Sequence, residues 1–448
     1  MSEGAVLRST GHGGAGNNSA RQTTGSRAAA VIDREKKRDI RLDFFRGLGM
    51  FIILIAHTPW NTWNSWIPAR FGYSDATEIF VFCSGAASAM AFLKLFEQRG
   101  WWVGTARISY RIYQLYWCHI GVFLAVLTSL TIVDQTLADP ERNYVQVLNL
   151  SRFVDDPQAF LPSLFTLSYV PNLFDILVMY MVILALLPVV IFLSRWKGVS
   201  GTPWVAIAFC VGLWAAASQP WLVLNTLFGL DPQIPVFTAL NLSAEPAAVW
   251  PEDRPMRTWF FNPFAWQLIF FTGFAFAVGW LPRPSTTDRR LIVLAAAIAL
   301  ISMPLDPDGV PVWRLMGAVE GLQPWVRENV IAPLGPLSSK SFFGLLRYVH
   351  FLALAYLVWV AAGEAGSRLP QSGIGGRIVT VVRRVGQQSL AVFIASLVIA
   401  RLLGVVMSEW DGRNNLLVTI GVNLTGFALI IAVAYIARYY RNPPWARR

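Results

Sequence analysis

Charge and cysteine are both scarce in this sequence, and each shortage excludes a class of protein. Only 14% of the 448 residues are charged, whereas about a quarter of the residues of a soluble domain are. Cys83, Cys118 and Cys210 all lie inside apolar stretches without paired spacing, which excludes a disulfide framework and most metal centres. The net charge of +11 is not accompanied by a nucleic-acid-binding motif, so we expect no nucleic-acid partner.

Apolar residues, by contrast, are abundant. They make up 55% of the chain and give a mean hydropathy of +0.47. Many fall into runs long enough to cross a bilayer as a helix. The candidate segments are 42–58, 75–93, 112–133, 171–194, 204–218, 262–280, 291–303, 342–362, 386–408 and 416–437. The sequence therefore predicts an all-α, polytopic membrane bundle of about ten transmembrane helices.

The distribution of charge predicts the orientation of this bundle. Lys and Arg outnumber Asp and Glu in each of the segments that would lie on the inner side, as the positive-inside rule requires. These segments are 1–41, 94–111, 195–203, 281–290, 363–385 and 438–448. We therefore expect both termini to be cytoplasmic.

The chain divides into three regions. Residues 1–41 contain almost no apolar run, so we expect a disordered cytoplasmic tail. Residues 42–437 form the membrane domain, and residues 438–448 form a basic cytoplasmic C-terminus. Three long, acidic loops lie on the outer side, at 134–170, 219–261 and 304–341. The apolar stretch 221–230 is too short to span, which favours an interfacial or re-entrant segment.

The first helix carries three ionisable residues, Asp43, Arg46 and His57. Arg46 and His57 are eleven residues apart, so they lie on one helix face and about 16 Å apart along the axis. Asp43 lies near the same stripe and is the expected ion-pair partner of Arg46. Ionisable groups inside a bilayer need a partner, a wet cavity or a function.

The second helix opens with two carboxylates at the depth of His57. Asp75 and Glu78 are three residues apart and hence neighbours on one face. We expect His57 to pair with one of them, and the pattern leaves open which. Such a pair orients the imidazole and allows it to act as a general base. Farther along this helix, Ser84 and Gly85 are small: they either pack closely against another helix or leave room for a thin ligand.

Other polar residues predict a polar interior, with a structural role as the alternative for each. Asn262, Trp266 and Gln267 open the sixth helix, and Arg347 and His350 share a face of the eighth. Arg401 lies deep in the ninth helix, where we expect an Asp or Glu partner. On the inner side Lys94, Arg99, Arg107 and Arg111 either reflect topology alone or bind a phosphate-bearing substrate.

Several motifs resemble those of the OpgC family. The first two blocks are the most specific: RLDFFRGL at 41–48 with HTPWN at 57–61, and FGYSDATEIFVFCSG at 71–85. Similar later pieces are PNLFDIL at 171–177, FNPFAWQ at 261–267, Lys340-Ser341 with Arg347 and His350, and GQQSL at 386–390. Arg46 and His57 also match the Arg-x10-His pattern of the wider transmembrane acyltransferase superfamily. Tyr73 and Cys83 depart from the family pattern at positions that carry no chemistry.

This resemblance implies a bacterial inner-membrane enzyme that acylates periplasmic glucans, usually with succinyl groups. The donor would be cytoplasmic acyl-CoA, with no metal. His57 would be the general base, oriented by Asp75 or Glu78, although an acyl-histidine intermediate is an alternative. Arg46 would line the donor channel or pair with Asp43.

The substrates implied by the resemblance give roles to the remaining polar residues. Residues at the outer mouth would contact sugar, namely Trp60, Asn61, Asn262, Trp266 and Gln267. The inner basic residues would hold the nucleotide, and the small residues would admit the pantetheine arm. Arg347 is the first candidate for binding a succinyl carboxylate, and Arg401 is the second.

Two other functions fit the same composition. A transporter or flippase for glycans or organic anions would use the buried charges as a translocation path. An O-acetyltransferase of another envelope polysaccharide would share the catalytic residues. Composition and spacing do not distinguish these acceptors, and they are silent on the oligomeric state.

Overall fold

The computed structural model describes residues 39–137, 142–148, 150–197, 202–219, 239–246, 257–306, 322–441 and 443. Within these residues the regular structure is helical, with one isolated antiparallel bridge between Ser243 and Thr258. The α-helices are α1 (Ile40–His57), α2 (Ala76–Leu137), α3 (Ser151–Asp155), α4 (Pro157–Phe165), α5 (Asp175–Leu193), α6 (Trp204–Ser218), α7 (Pro263–Val278), α8 (Arg289–Leu305), α9 (Leu322–Val326), α10 (Ala332–Ser338), α11 (Leu345–Ala362), α12 (Gly373–Gln387), α13 (Ser389–Glu409) and α14 (Leu416–Arg441). A π-helical turn, Arg327–Ile331, joins α9 to α10, and short 3₁₀ turns lie at Thr62–Trp66, Pro68–Arg70, Gln146–Leu148 and Glu364–Gly366.

Each of the ten apolar segments predicted from the sequence coincides with helix in the structure. By length and composition α2, α5, α11, α13 and α14 are able to cross a membrane, and α6 and α7 are shorter apolar helices. The all-helical fold is thus confirmed for the described residues. The number of crossings and the side of each terminus stay predictions, and most of the predicted tail, residues 1–38, lies outside the described residues.

The second and third predicted segments are joined without an intervening loop. The chain stays helical from Ala76 to Leu137 except at Gly100, which has φ +82. This left-handed conformation is readily accessible only to glycine and breaks the helix into two arms. Residues 94–111, predicted as the inner-side segment between two helices, therefore extend both arms, and the break lies at a single residue.

An additional helix, α12, occupies most of the predicted inner loop 363–385. It is amphipathic and packs against α1. The contact depends on glycine, because a side chain at Gly386 would collide with the carbonyl oxygen of Asp43, and one at Gly47 with that of Val382. Hydropathy did not predict α12 because its apolar residues form a stripe rather than a continuous run.

The largest interface in the bundle joins α2 to α7. Here too the helices meet at glycines: a side chain at Gly85 would strike the backbone of Phe270, and one at Gly273 would strike the backbone of Phe82. Ser84, next to Gly85, is also buried. Gly85 thus lies at a close helix contact, and a role of Ser84 and Gly85 in admitting a thin ligand stays a prediction.

Candidate active site

The segment between α1 and α2 connects two parts of the predicted site: His57 at the end of α1, and Asp75 and Glu78 at the start of α2. Its side chains are anchored at several points. Asn61 accepts a hydrogen bond from the Trp63 amide, and Tyr73 donates to the carbonyl of Leu305 at 3.2 Å. Burial raises the pKa of Tyr73 to about 12, and the nearby Asp306 acts in the same direction, so the phenol keeps the proton that it donates.

Asp75 and Glu78 form a reciprocal cap at the start of α2. The Asp75 carboxylate accepts a hydrogen bond from the Thr77 amide at 2.6 Å, and Glu78 Oε2 accepts one from the Asp75 amide at 2.8 Å. This arrangement satisfies two backbone donors that helix formation leaves without partners. The two carboxylates therefore lie together, as their spacing predicted.

Each carboxylate pairs with a cation from a distant part of the chain. The Lys340 ammonium donates to Asp75 Oδ2, and Arg347 Nη1 donates to Glu78 Oε1 at 2.9 Å. The Glu78 side chain is fully buried, and that of Arg347 is 9% exposed. The predicted hydrogen bond from His57 to one of these carboxylates is therefore not the arrangement found. A permanent cation compensates a buried carboxylate better than a neutral imidazole does.

His350 lies beside this pair of cations and carboxylates, one helical turn after Arg347 on α11. Its Nδ1 is 2.9 Å from Ser74 Oγ, and its ring packs edge-on against Tyr73. Gly72 has φ +133, and a side chain there would collide with the His350 ring. Arg347 and His350 thus share a face, as predicted, and both bond to residues at the start of α2.

His57, the last residue of α1, faces the same cluster without a direct partner. Its Nδ1 is buried and makes no hydrogen bond within the described residues. The groups that act on it electrostatically are Arg401, Lys340 and Asp75. The structure therefore brings together His57, Asp75 and two cations from four separate parts of the chain. An imidazole nitrogen without a protein partner is able to accept a proton from a substrate.

Arg401 lies midway along α13. Its Nε is buried without a hydrogen-bond partner among the described residues. The acidic partner predicted for it is not found there either: its guanidinium makes no ion pair within the described part of the chain. Arg401 is therefore a cation held near His57 without a compensating carboxylate in the described structure.

Asn61, in the segment that follows α1, bonds to α14. Its side-chain amide and that of Asn423 on α14 exchange two hydrogen bonds, of 2.9 and 3.1 Å, and both residues are buried. The neighbouring Trp60 packs edge-on against Tyr144. Asn61 therefore has its side-chain polar groups engaged in the protein, whereas Trp60 remains partly exposed.

Asn262, Trp266 and Gln267, predicted to contact sugar, are buried and bond to the backbone. Asn262 caps the N-terminus of α7 by accepting from the amides of Phe264 and Ala265. Trp266 and Gln267 are fully buried, and their side chains donate to the carbonyls of Lys340 and Cys210. Gln267 Oε1 has no hydrogen-bond partner within the described residues, and contact of these three residues with sugar stays a prediction.

The comparisons with known proteins address the identity of the chain. A family model described as OpgC protein matches residues 38–442, which is nearly the whole sequence. The chain belongs to the OpgC family. Membership indicates an acyltransferase-like function on glucans, and together with the apolar helices it supports a membrane protein. No curated protein and no solved structure matches the chain significantly.

At the other end of α1, this OpgC-family protein holds Arg46 against α13. Arg46 Nη2 donates to Ser389 Oγ at 2.5 Å, and Asp43 accepts from Gln387 Nε2 at 3.2 Å. Cys83 is also within electrostatic reach of Arg46 and Asp43. The predicted ion pair between Arg46 and Asp43 stays a prediction, as does a role for Arg46 in donor binding.

The predicted inner basic residues of this OpgC-family protein surround the break at Gly100. Lys94, Arg99 and Arg107 are exposed, and Arg111 donates to Gln114 Oε1 at 3.1 Å. Their exposure leaves their side chains accessible to a ligand or to solvent. No group of three or more His, Cys, Asp or Glu side chains within the described residues could hold a metal ion.

Sequence reasoning did not assign roles to three residues that shape this OpgC-family site. Lys340 and Ser389 lie inside motifs that resemble the family, but nothing in their spacing points to Asp75 or Arg46. Asn423 did have a signal, since it is an amide within an apolar segment, and such residues usually bond across helices.

Proposed function

We propose that this OpgC-family protein is a transmembrane O-acyltransferase of the bacterial inner membrane, with its N-terminus in the cytoplasm. It would transfer a succinyl or other short acyl group from cytoplasmic acyl-CoA to hydroxyls of periplasmic glucans. The observation that carries the proposal is the polar cluster around His57, in which the imidazole has a buried nitrogen without a protein partner.

In the proposed reaction His57 accepts the proton of a glucan hydroxyl. The hydroxyl oxygen forms a bond to the thioester carbonyl carbon, and the resulting intermediate collapses by breaking the carbon–sulfur bond. The CoA thiolate leaves and takes the proton from the imidazolium. Asp75 carries negative charge within electrostatic reach of His57, so it offsets the positive charge that the imidazole acquires during the step. Lys340 holds Asp75 in place.

The two ends of α1 support separate binding sites for the two substrates. Arg46 lies near the start of the helix and His57 at its end. Seventeen rises of about 1.5 Å separate the first and last residues, so α1 is long enough to connect opposite regions of a bilayer. Donor CoA would bind at the Arg46 end, where Lys94, Arg99, Arg107 and Arg111 supply positive charge. The glucan would reach His57 near Trp60, which is partly exposed.

The test is ester formation by the purified full-length protein in detergent, with radiolabelled acyl-CoA and an unsubstituted periplasmic glucan. We expect labelled glucan with the wild type and a loss of about 100-fold or more with His57→Ala. His119→Phe is the matched control, because His119 is also a buried histidine without a described hydrogen-bond partner. It should retain ester formation.

Wild-type ester levels in the His57→Ala protein would refute the role of His57. A wild-type protein that never labels the glucan, but moves glycan or organic anion across liposomes without covalent change, would replace the enzyme by a transporter. Mass spectrometry of glucans from a deletion strain would identify the acyl group and the acceptor together.

A further inference from the structure

Arg401 differs from the two other cations of this cluster in its surroundings. The two carboxylates, Asp75 and Glu78, are each occupied by a cation, Lys340 and Arg347 respectively. Arg401 lies close to His57: a side chain at Gly404, three residues after Arg401 on α13, would strike Pro59, two residues after His57. Unlike Lys340 and Arg347, Arg401 therefore has no carboxylate partner within the described residues.

An unpaired arginine is costly at this position. Arg401 lies midway along α13, a helix apolar enough to cross a membrane, and its Nε is buried. Within the described part of the chain, neither a carboxylate nor a hydrogen bond compensates its guanidinium. Charged groups inside a membrane protein are usually paired or line a route for a charged ligand.

We propose that Arg401 binds the free carboxylate of the acyl group that is being transferred, and thereby selects a dicarboxylic acyl donor over a neutral one. This inference rests on the proposed function. A guanidinium is suited to the task, because its planar array of N–H donors matches a carboxylate in a bidentate geometry. Arg347, the first candidate from sequence, is the weaker choice since Glu78 already neutralises it.

The location of Arg401 fits the geometry of such a donor. A succinyl group has two methylene carbons between its thioester carbonyl and its carboxylate. An arginine that anchors the carboxylate must therefore lie close to the group that activates the attacking hydroxyl. Arg401 meets this condition, because α13 packs against the chain just after His57: Gly404, three residues after Arg401, is in close contact with Pro59. The anchored carboxylate would also place the carbonyl carbon consistently relative to the hydroxyl oxygen.

The experiment compares succinyl-CoA with acetyl-CoA as donors to one neutral, unsubstituted glucan, using the full-length protein in detergent. The measured quantity is the ratio of kcat/KM for the two donors. Loss of a charge-assisted hydrogen bond should lower the succinyl-to-acetyl ratio by about 10- to 100-fold in Arg401→Gln. Arg401→Lys should retain part of the preference. Arg413→Gln is the matched control, since Arg413 is exposed, and it should leave the ratio unchanged.

A second measurement does not depend on turnover. In the His57→Ala protein, calorimetric titration should show tighter binding of succinyl-CoA than of acetyl-CoA, and Arg401→Gln should abolish the difference. Equal loss of both donors in Arg401→Gln, or a wild type that prefers acetyl-CoA, would overturn the inference while leaving the proposed enzyme intact. A preference that appears solely with an anionic glucan would also overturn it, because the carboxylate would then come from the acceptor.

Discussion

The buried pair of Glu78 and Arg347 allows a demanding test of the structure. Replacing Arg347 by Met would leave the Glu78 carboxylate fully buried, with the Asp75 amide as its remaining described donor. Breaking a buried ion pair from one side costs about 3–5 kcal/mol. We therefore expect Arg347→Met to lower the free energy of unfolding by about that amount.

Removing both charges should be less harmful than removing one. In Arg347→Met/Glu78→Met no uncompensated charge is left, and apolar replacements of buried ion pairs are often close to neutral. What remains is the loss of the capping interaction between Glu78 and the Asp75 amide, which is worth about 0.5–2 kcal/mol. The double variant should thus recover at least about 1 kcal/mol relative to Arg347→Met.

The assay is equilibrium unfolding by SDS in mixed micelles, followed by circular dichroism, on the wild type, both single variants and the double variant. The four free energies give the coupling between the two residues directly. Additive losses, with the double variant as unstable as the two single changes combined, would show that Glu78 and Arg347 are not partners. That result would also remove the reason for preferring Arg401 over Arg347 as the carboxylate anchor.

Two further predictions concern helix contacts. Gly386→Ala would push a methyl group into the Asp43 carbonyl oxygen and should separate α12 from α1. We expect a loss of stability of about 1–3 kcal/mol, measured by the same SDS titration, and an unchanged protein would contradict this contact. Asn61→Ala and Asn423→Ala each break the same amide pair, so the double variant should be about as unstable as either single one. Additive effects would mean that the two amides do not bond to each other.

Hydropathy was sufficient to place the helices, because a membrane helix must be apolar over most of its length. It did not reveal α12, whose apolar residues lie on one face, nor the short turnaround at Gly100. Both errors fell in the segments between spans, where no long apolar run constrains the backbone.

The partners of the site residues were less predictable than the residues themselves. The spacing of Asp75 and Glu78 predicted their proximity, since neighbours on a helix are fixed by local geometry. Their cations lie 265 and 269 residues away, and helix packing alone determines which of several buried cations reaches them. The expected pairing with His57 was inferred from a similar depth in the membrane. Depth alone does not determine which way a side chain points around the helix bundle.

The same separation has a consequence for biosynthesis. Ribosomes add about 5–20 residues per second, so roughly 13 to 53 s pass between the synthesis of Asp75 and that of Lys340, 265 residues later. During this interval neither carboxylate at the start of α2 has its cation. The reciprocal cap that they form with their own helix is local and needs no later part of the chain. It therefore holds these acidic side chains in place in the nascent protein until the second half of the chain has been made.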